Sequence, residues 1–168
     1  MEQLVRDTSQ KGLISHTAVL NRLVQLGFEV LLPWADHLGY DLAYYETTEE
    51  RHFGFFVHRD SRLVRIQCKT AWLSKDGTYL EFNTSTVSVR KRGNNKKSGY
   101  QGKAEYFAVY SPDRGKVFML AVDEVPNGNM NLRFKSAGVI RANRHGSYRI
   151  PYSEEMAGGY YWAEDYEI

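Results

Sequence analysis

The stretch Arg65-Ile66-Gln67-Cys68-Lys69-Thr70-Ala71 alternates between polar and apolar side chains, and this period of two predicts a β-strand. One face of the strand carries Val64, Ile66 and Cys68. The other face carries Arg65, Gln67 and Lys69. Because the apolar face would lie in the core, an amide and an ammonium group two residues apart on the other face indicate a candidate site there.

A second segment, Gly39-Tyr40-Asp41, precedes the apolar run Leu42-Ala43-Tyr44-Tyr45. The Gly-Tyr pair indicates a turn, so Asp41 begins the next strand. If this strand pairs antiparallel with that of Gln67, then Asp41, Gln67 and Lys69 converge at one end of the sheet. Less specific explanations stay open: an Asp at a strand start is commonly a turn or cap residue, and the polar face would equally suit solvent at a sheet edge.

The composition is that of one ordinary globular domain, with 168 residues, 42% hydrophobic and 14% aromatic. A formal net charge of +2 neither requires nor excludes a nucleic acid as partner, because the distribution of charge matters more than its sum. Cys68 is the single cysteine, which excludes a disulfide within the chain and favours a reducing compartment. Since we find no signal peptide and no apolar stretch of membrane-spanning length, we expect a soluble cytoplasmic protein without a membrane partner.

A helix is predicted from an N-cap at Thr8-Ser9 to about Leu26, with Gly27 ending it. Its apolar stripe is expected at Leu13, Thr17, Leu20, Leu23 and Val24. His16 lies on the same stripe, one turn before Leu20, and would therefore point toward the sheet. A histidine in this position is either a hydrogen-bonded core residue or a ligand, and the sequence leaves both interpretations open.

Strands and turns follow the helix, which predicts a single α+β or α/β domain over residues 1–168, with a mixed central sheet flanked by helices. The predicted strands are 28–32, 41–45, 53–57, 62–70, 78–84, 106–110, 117–122 and 131–135. The predicted turns are 46–52, 58–61, 75–77 and 111–115, with a helical turn at 122–125. The part of the chain from about residue 127 onward is predicted to be rich in loops.

Residues 88–100 differ from the rest of the chain, because they are basic and contain almost nothing apolar. We predict a basic loop here. The candidates for contact with nucleic-acid phosphates are Arg90, Lys91, Arg92, Lys96, Lys97 and, just beyond the loop, Lys103. Binding through these cations would weaken steeply with salt. A solvated surface loop without a partner is the alternative, since runs of charge usually are of that kind.

Further segments extend the pattern of Asp41, Gln67 and Lys69 over nearly the whole chain. They are Lys11-Gly12, Gly39-Tyr40-Asp41, Ile66-Gln67-Cys68-Lys69-Thr70, Phe82-Asn83-Thr84-Ser85, Tyr106-Phe107-Ala108-Val109-Tyr110 and Trp162-Ala163-Glu164-Asp165-Tyr166. Together they resemble the small group I intron-encoded homing endonucleases, a branch of the PD-(D/E)xK nuclease superfamily. The resemblance implies a restriction-endonuclease-like core, in which a four-stranded mixed sheet has a helix on each side.

The resemblance also implies a divalent metal site. The implied metal ligands are Asp41, the main-chain carbonyl of Cys68, and His16. The implied catalytic residues are Asp41, Gln67, Lys69 and His16. Mg²⁺ suits the carboxylate, whereas the imidazole of His16, at a position where this branch usually has glutamate, would favour Mn²⁺. Because Asp41 would be the sole carboxylate, we expect the site to bind metal weakly.

The function that the resemblance implies is a metal-dependent endonuclease acting on double-stranded DNA, either a homing-type enzyme or a free-standing relative. A DNA-binding protein of the same fold with weakened or lost cleavage is the alternative, because His16 and Gln67 are both neutral. A structural or regulatory protein whose basic loop contacts another protein is the third possibility. Since a single site cuts one strand, double-strand cleavage requires at least a homodimer, and the resemblance also permits a homotetramer.

Overall fold

A computed structural model describes residues 7–52, 56–88, 96–143 and 146–168. These ranges contain one α-helix, α1 (Thr8–Gln25). The strands are β1 (Val30–Leu31), β2 (Leu42–His52), β3 (Phe56–Thr70), β4 (Trp72–Leu73), β5 (Tyr79–Asn83), β6 (Thr86–Ser88), β7 (Lys96–Ser98), β8 (Tyr106–Ser111), β9 (Lys116–Ala121), β10 (Asn129–Arg133), β11 (Val139–Asn143) and β12 (Gly146–Ile150). The 3-10 helices are Asp36–Leu38, Val122–Glu124, Lys135–Ala137, Glu154–Gly159 and Ala163–Asp165. No helix in these ranges is long and apolar enough to cross a membrane.

The cap of α1 is Asp7, not Thr8-Ser9 as the sequence predicts. The Asp7 carboxylate accepts a hydrogen bond from the backbone N–H of Ser9 at 3.0 Å, which satisfies one of the free donors of the first turn. At the other end, α1 stops at Gln25 and the chain turns at Gly27. The φ of Gly27 is 89°, a conformation that favours glycine, so the predicted stop at this residue is confirmed.

The buried stripe of α1 also differs from the predicted one. Its members are Ser15, Val19 and Leu23. Leu13 and Val24, which were expected to face the sheet, are 63% and 56% exposed. Leu23 and Leu20 of the predicted stripe are buried and half-buried, so the prediction is confirmed for these two residues. The hydroxyl of Ser15 lies 2.6 Å from that of Thr70 in β3, so the contact between helix and sheet includes a polar pair. The contact of Ser15 is one that a pattern of apolar residues cannot indicate.

The central sheet has five strands in the order β1-β2-β3-β8-β9. Strand β3 runs parallel to β8, whereas the other neighbours are antiparallel, so the sheet is mixed as predicted. Strands β2 and β3 form a long hairpin that pairs Leu42 with Ile66 at one end and His52 with Phe56 at the other. This register confirms the antiparallel pairing expected between the Asp41 strand and the Gln67 strand.

The turns predicted at 46–52 and 58–61 are wrong, because both segments are strand within this hairpin. Their sequence is polar because the hairpin here leaves the core: residues 47–49 and 60–62 are exposed. A strand whose two faces both meet water has no reason to alternate polar and apolar residues. Of the strand predicted at 53–57, residues 53–55 lie outside the described ranges.

Two hydrophobic clusters lie on opposite faces of the central sheet. On one face, α1 packs against β2 and β3 through Val19, Leu23, Leu42, Val64 and Ile66. On the other face, a three-stranded sheet in the order β10-β5-β4 packs against β8 and β9. This second cluster includes Leu80, Phe82, Phe107, Val109, Phe118, Leu120, Met130 and Leu132. The α+β class with a mixed central sheet is therefore confirmed, but in the described ranges the second layer is a sheet, not the second helix that the resemblance implies.

The shorter elements match the predictions unevenly. The hairpins around 75–77 and 111–115 and the helical turn near 122 are confirmed, but the strand at 28–32 shrinks to β1. The loop predicted at 88–100 is wrong at its end, where β7 pairs with β6, and residues 89–95 lie outside the described ranges. The C-terminal part holds more strand than predicted, because β11 pairs with the exposed, polar β12, whose sequence lacks an apolar period.

An ion pair fastens the parallel strands β3 and β8 at the point where they meet. The Glu105 carboxylate accepts hydrogen bonds from the backbone N–H and from the guanidinium of Arg65, both at 2.6 Å. The backbone N–H of Glu105 in turn donates to the Arg65 carbonyl at 2.9 Å. The Arg65 guanidinium therefore holds the pKa of Glu105 below its usual value. This pair sets the register in which Gln67 of β3 lies beside Phe107 of β8.

We expect Glu105→Gln to destabilise the protein by about 1–2 kcal/mol at pH 7, because a charge-assisted pair at a partly exposed place is lost. The pKa of Glu105 is lowered from 4.5 in the folded protein, so its contribution is present above pH 4.5 and is lost as the pH falls through the native pKa. The difference from the unmodified protein should therefore narrow in acid. Urea unfolding followed by circular dichroism measures it.

The matched control is Glu46→Gln, which breaks the more exposed ion pair with Arg62. Its cost should stay below about 0.5 kcal/mol. A loss for Glu105→Gln no larger than that of the control would contradict the role given to this pair.

Candidate active site

Asp41 joins the ends of β2 and β3. Its backbone N–H donates to the Ile66 carbonyl at 2.8 Å, which continues the β2–β3 ladder by one position beyond Leu42. Its carboxylate oxygen Oδ2 accepts from the backbone N–H of Cys68 at 2.8 Å and from the Gln67 amide nitrogen. The carboxylate is therefore held by both the main chain and a side chain of the neighbouring strand.

Gln67 acts as a hydrogen-bond donor in this arrangement. Besides the bond to Asp41, its Nε2 lies 3.4 Å from the Cys68 carbonyl oxygen. The orientation of the amide is assigned from this network, because the nitrogen can satisfy both acceptors and the oxygen cannot. As oriented, Gln67 fixes the carboxylate.

Lys69 lies on the same face of β3 as Gln67, and its ammonium group contacts two aromatic rings. Its Nζ lies 3.1 Å from the hydroxyl oxygen of Tyr100, 4.5 Å from the centre of that ring and 5.9 Å from the centre of the Phe107 ring. Its charge also acts on Asp41, whose ionised form it favours. The structure thus places the Lys69 ammonium group against the rings of Tyr100 and Phe107, close enough to Asp41 for its charge to act on that carboxylate.

His16 reaches the site from α1. Together with Asp41, Tyr40, Leu32 and Pro33 it lines a cleft of about 410 Å³. The Nε2 atom of His16 is buried and has no hydrogen-bond partner in the described ranges. A hydrogen-bonded core histidine, one of the two interpretations that the sequence left open, is therefore not what this nitrogen shows.

Burial raises the pKa of the Asp41 carboxyl above its usual value. The groups that favour the ionised form and limit this rise are the Cys68 N–H, His16, Lys69 and Gln67. Burial likewise raises the pKa of the Cys68 thiol, so this cysteine is a protonated core residue and only its carbonyl is available to the site. A carboxylate that is costly to ionise in isolation is a favourable place for a cation.

The residues present fit a divalent ion with few protein ligands. Both described hydrogen bonds to the Asp41 carboxylate use Oδ2, which leaves Oδ1 for an ion. His16, whose buried Nε2 has no hydrogen-bond partner in the described ranges, lines the same cleft. In the described part of the chain, however, no group of three or more His, Cys, Asp or Glu side chains could hold a metal ion. The remaining ligands would have to be the Cys68 carbonyl, water and substrate oxygens, which is how Mg²⁺ is commonly bound.

Of the cations predicted to contact phosphates, Lys103 is the one whose side chain the structure describes. It is exposed, and its aliphatic stem lies against Gly39, two residues before Asp41. An added Cβ at Gly39 would come within 3.1 Å of this stem, and the φ of 77° also favours glycine there. Residues 90–92 lie outside the described ranges, and only the backbone of Lys96 and Lys97 is described, in β7.

Tyr100 is the site residue that the sequence analysis missed. It is 8% exposed and lies 31 positions after Lys69 along the chain. The only local signal was an aromatic residue directly after a basic, glycine-containing segment, and that signal does not indicate a contact with Lys69.

Comparison with known proteins identifies the family and the fold of the chain. The family model described as PD-(D/E)XK endonuclease matches residues 6–153. Among solved structures, a bacterial homing endonuclease, I-Ssp6803I, is similar with a TM-score of 0.60 and 20% sequence identity, covering 96% of this chain and 88% of that chain. At this identity the likeness concerns the fold alone. No curated protein matches the chain.

We expect Asp41→Asn to melt at a higher temperature than the unmodified protein at pH 7 in metal-free buffer. The amide oxygen can accept the same two hydrogen bonds, while the cost of burying a charge disappears. Because the folded pKa of Asp41 is raised, the contribution of this residue to stability is fully present below its ordinary pKa of 3.8 and is lost as the pH rises through the folded pKa. The Tm values of the variant and of the unmodified protein should therefore converge in acid. Scanning calorimetry resolves the shift, since about 1 kcal/mol moves the Tm of such a chain by about 2–4 °C.

Asp76→Asn is the control of opposite sign. The Ser74 and Thr78 hydroxyls donate to the Asp76 carboxylate and lower its pKa, so this variant should lose stability at pH 7. A lower Tm for Asp41→Asn at pH 7 would contradict the account of a costly buried carboxylate.

Proposed function

Since the chain belongs to the PD-(D/E)XK endonuclease family, we propose that it is a metal-dependent endonuclease that hydrolyses phosphodiester bonds of double-stranded DNA. The observation that carries the proposal is the convergence of Asp41, Gln67 and Lys69 at the adjoining ends of β2 and β3. These residue types supply an anionic metal ligand, a group that fixes it, and a cation for the charge that develops at phosphorus.

Asp41, the Cys68 carbonyl and His16 would hold the ion. When bound, the ion would polarise the scissile phosphate and lower the pKa of a water molecule. Mg²⁺ is the proposed metal, and Mn²⁺ is the second choice, because a neutral imidazole among the ligands favours the softer ion. Gln67 would keep the Asp41 carboxylate in place through its amide nitrogen.

Lys69 would act at the attacking water or at the phosphate. As an ammonium group it balances negative charge on the phosphate in the transition state, and as an amine it could accept a proton from the water. The charge of Lys69 acts on Asp41, the proposed metal ligand, and this supports both roles.

Double-stranded DNA is the proposed partner, with phosphate contacts through Lys103 and through Arg90, Lys91, Arg92, Lys96 and Lys97. The protein would act as a homing-type endonuclease or a free-standing relative. Since a single site cuts one strand, we propose a homodimer or homotetramer as the active form.

One observation favours a second candidate, a DNA-binding protein of the same fold that cleaves poorly or not at all. Asp41 is the only carboxylate that the described residues place in the cleft. The Gln67 side chain directs its amide nitrogen, and not its oxygen, at the Asp41 carboxylate. Such a site has one negative charge with which to bind a divalent ion.

The two candidates differ in cleavage of supercoiled plasmids that carry a library of random inserts. With Mg²⁺ or Mn²⁺ we expect nicked or linear products, and Lys69→Ala should slow their formation by about 10²–10⁴-fold, the contribution typical of a proton-transfer or charge-stabilising group. Gel electrophoresis measures the rate. Lys116→Ala, which removes an ion pair with Glu167, is the matched control and should cleave normally. Salt-sensitive DNA binding without cleavage would contradict the enzyme and support the second candidate.

His16 is tested through the metal itself. We expect His16→Ala to raise the dissociation constant for Mn²⁺ by at least about 10-fold, the loss typical even of residues that only support a ligand. Mn²⁺ titration followed by electron paramagnetic resonance measures it directly, whether or not DNA is cut. His37→Ala removes an exposed histidine and serves as the control. Equal Mn²⁺ affinity in His16→Ala and the unmodified protein would remove His16 from the ligand set.

A further inference from the structure

The ammonium group of Lys69 has a defined partner, the side chain of Tyr100. Tyr100 offers it both a hydroxyl oxygen at 3.1 Å and a ring face whose centre is 4.5 Å away. Within the described ranges, Lys69 is the hydrogen-bond partner of this hydroxyl. A cation that is hydrogen-bonded to a phenol and lies over its ring is attracted by the oxygen lone pair and by the ring quadrupole together.

Tyr100 is itself held rigidly. Its side chain is 8% exposed within the second hydrophobic cluster, and its ring meets that of Phe107 edge to face, with centres 5.4 Å apart and planes at 84°. Its carbonyl accepts from the backbone N–H groups of Lys103 and Ala104 at 2.9 and 3.2 Å. Packing and backbone hydrogen bonds thus fix the phenol before any ligand is present.

A lysine, by contrast, has a flexible four-carbon stem, and its ammonium group is free to point in many directions unless something holds it. A catalytic ammonium gains nothing from that freedom, because small displacements of a reacting group cost rate. The second ring near Lys69, that of Phe107 at 5.9 Å, has no hydroxyl and contributes only a ring surface.

We propose that Tyr100 is a positioning residue for Lys69: its hydroxyl and ring hold the ammonium group at the end of β3. The role of Lys69 in cleavage rests on the proposed function, whereas its placement by Tyr100 does not. Tyr100 acts through Lys69 and has no assigned contact with substrate.

The kinetic test is Tyr100→Phe, which removes the hydroxyl and keeps the ring packing. With DNA bound at saturation, we expect the single-turnover cleavage rate to fall by about 10- to 100-fold, the cost of a misplaced catalytic group. The dissociation constant for DNA should stay unchanged, because Tyr100 has no assigned contact with substrate, and circular dichroism should show a folded variant, because the packing of the ring is kept. Tyr161→Phe, whose hydroxyl bonds the Glu124 carbonyl, is the matched control and should cleave at the normal rate. A normal rate for Tyr100→Phe overturns the proposal, and so does a faster one, which would mean that Tyr100 holds Lys69 away from the reaction.

The structural test needs no cleavage and decides the matter if the unmodified protein does not cut DNA. With lysine labelled by ¹³C at the ε position, the methylene of Lys69, identified by its disappearance in Lys69→Arg, should be shifted from the position of solvent-exposed lysines, because the ammonium group bonded to it lies 4.5 Å from the centre of the Tyr100 ring. Tyr100→Leu should return the resonance to the position of solvent-exposed lysines. A Lys69 resonance at the exposed position in the unmodified protein overturns the proposal. A shifted resonance in a protein that cleaves no DNA leaves the placement intact and places the failure with the proposed nuclease activity.

Discussion

The hydrogen bond from the Cys68 backbone N–H to the Asp41 carboxylate is the contact on which the site depends. It forms where β3 continues past the start of β2, so a side chain satisfies a backbone donor that the neighbouring strand does not reach. Because Gln67 donates to the same oxygen, the carboxylate cannot rotate away without losing two partners. Burial disfavours the ionised form of the carboxylate, so a cation bound next to it would be stabilising.

The two layers of the fold each add one group to this link. Helix α1, on one face of the sheet, contributes His16, whose buried Nε2 has no protein partner in the described ranges. The second hydrophobic cluster, on the other face, contributes Tyr100, whose hydroxyl is hydrogen-bonded to the ammonium group of Lys69. The site therefore lies at the junction of the two hydrophobic clusters, at one end of the sheet. Packing on each side limits the movement of these side chains, so the two clusters fix the geometry of the site.

The sequence predicted those parts of the site that depend on neighbouring positions. The period of two in β3 put Gln67 and Lys69 on one face, and antiparallel pairing with the next strand brought Asp41 beside them. Prediction from the sequence failed where polar contacts or packing between distant residues determine the structure. The buried face of α1 includes the polar Ser15, and the contact of Tyr100 with Lys69 joins residues that are 31 positions apart along the chain. The hairpin was mistaken for turns because strands in water carry no apolar period.

That hairpin has a consequence for how the protein can vary. Among the described strands, β1 pairs with β2 only at Ala43 and Tyr44, and β8 meets β3 only from Ile66 onward, so most of the hairpin is a ribbon of two strands. A two-stranded ribbon gains little from the core and opens on its own free-energy scale. Insertions, deletions and changes of charge along it would leave the strand ends at Asp41 and Gln67 undisturbed. The sequence and length of the ribbon can thus vary in evolution without a change in the geometry of the site.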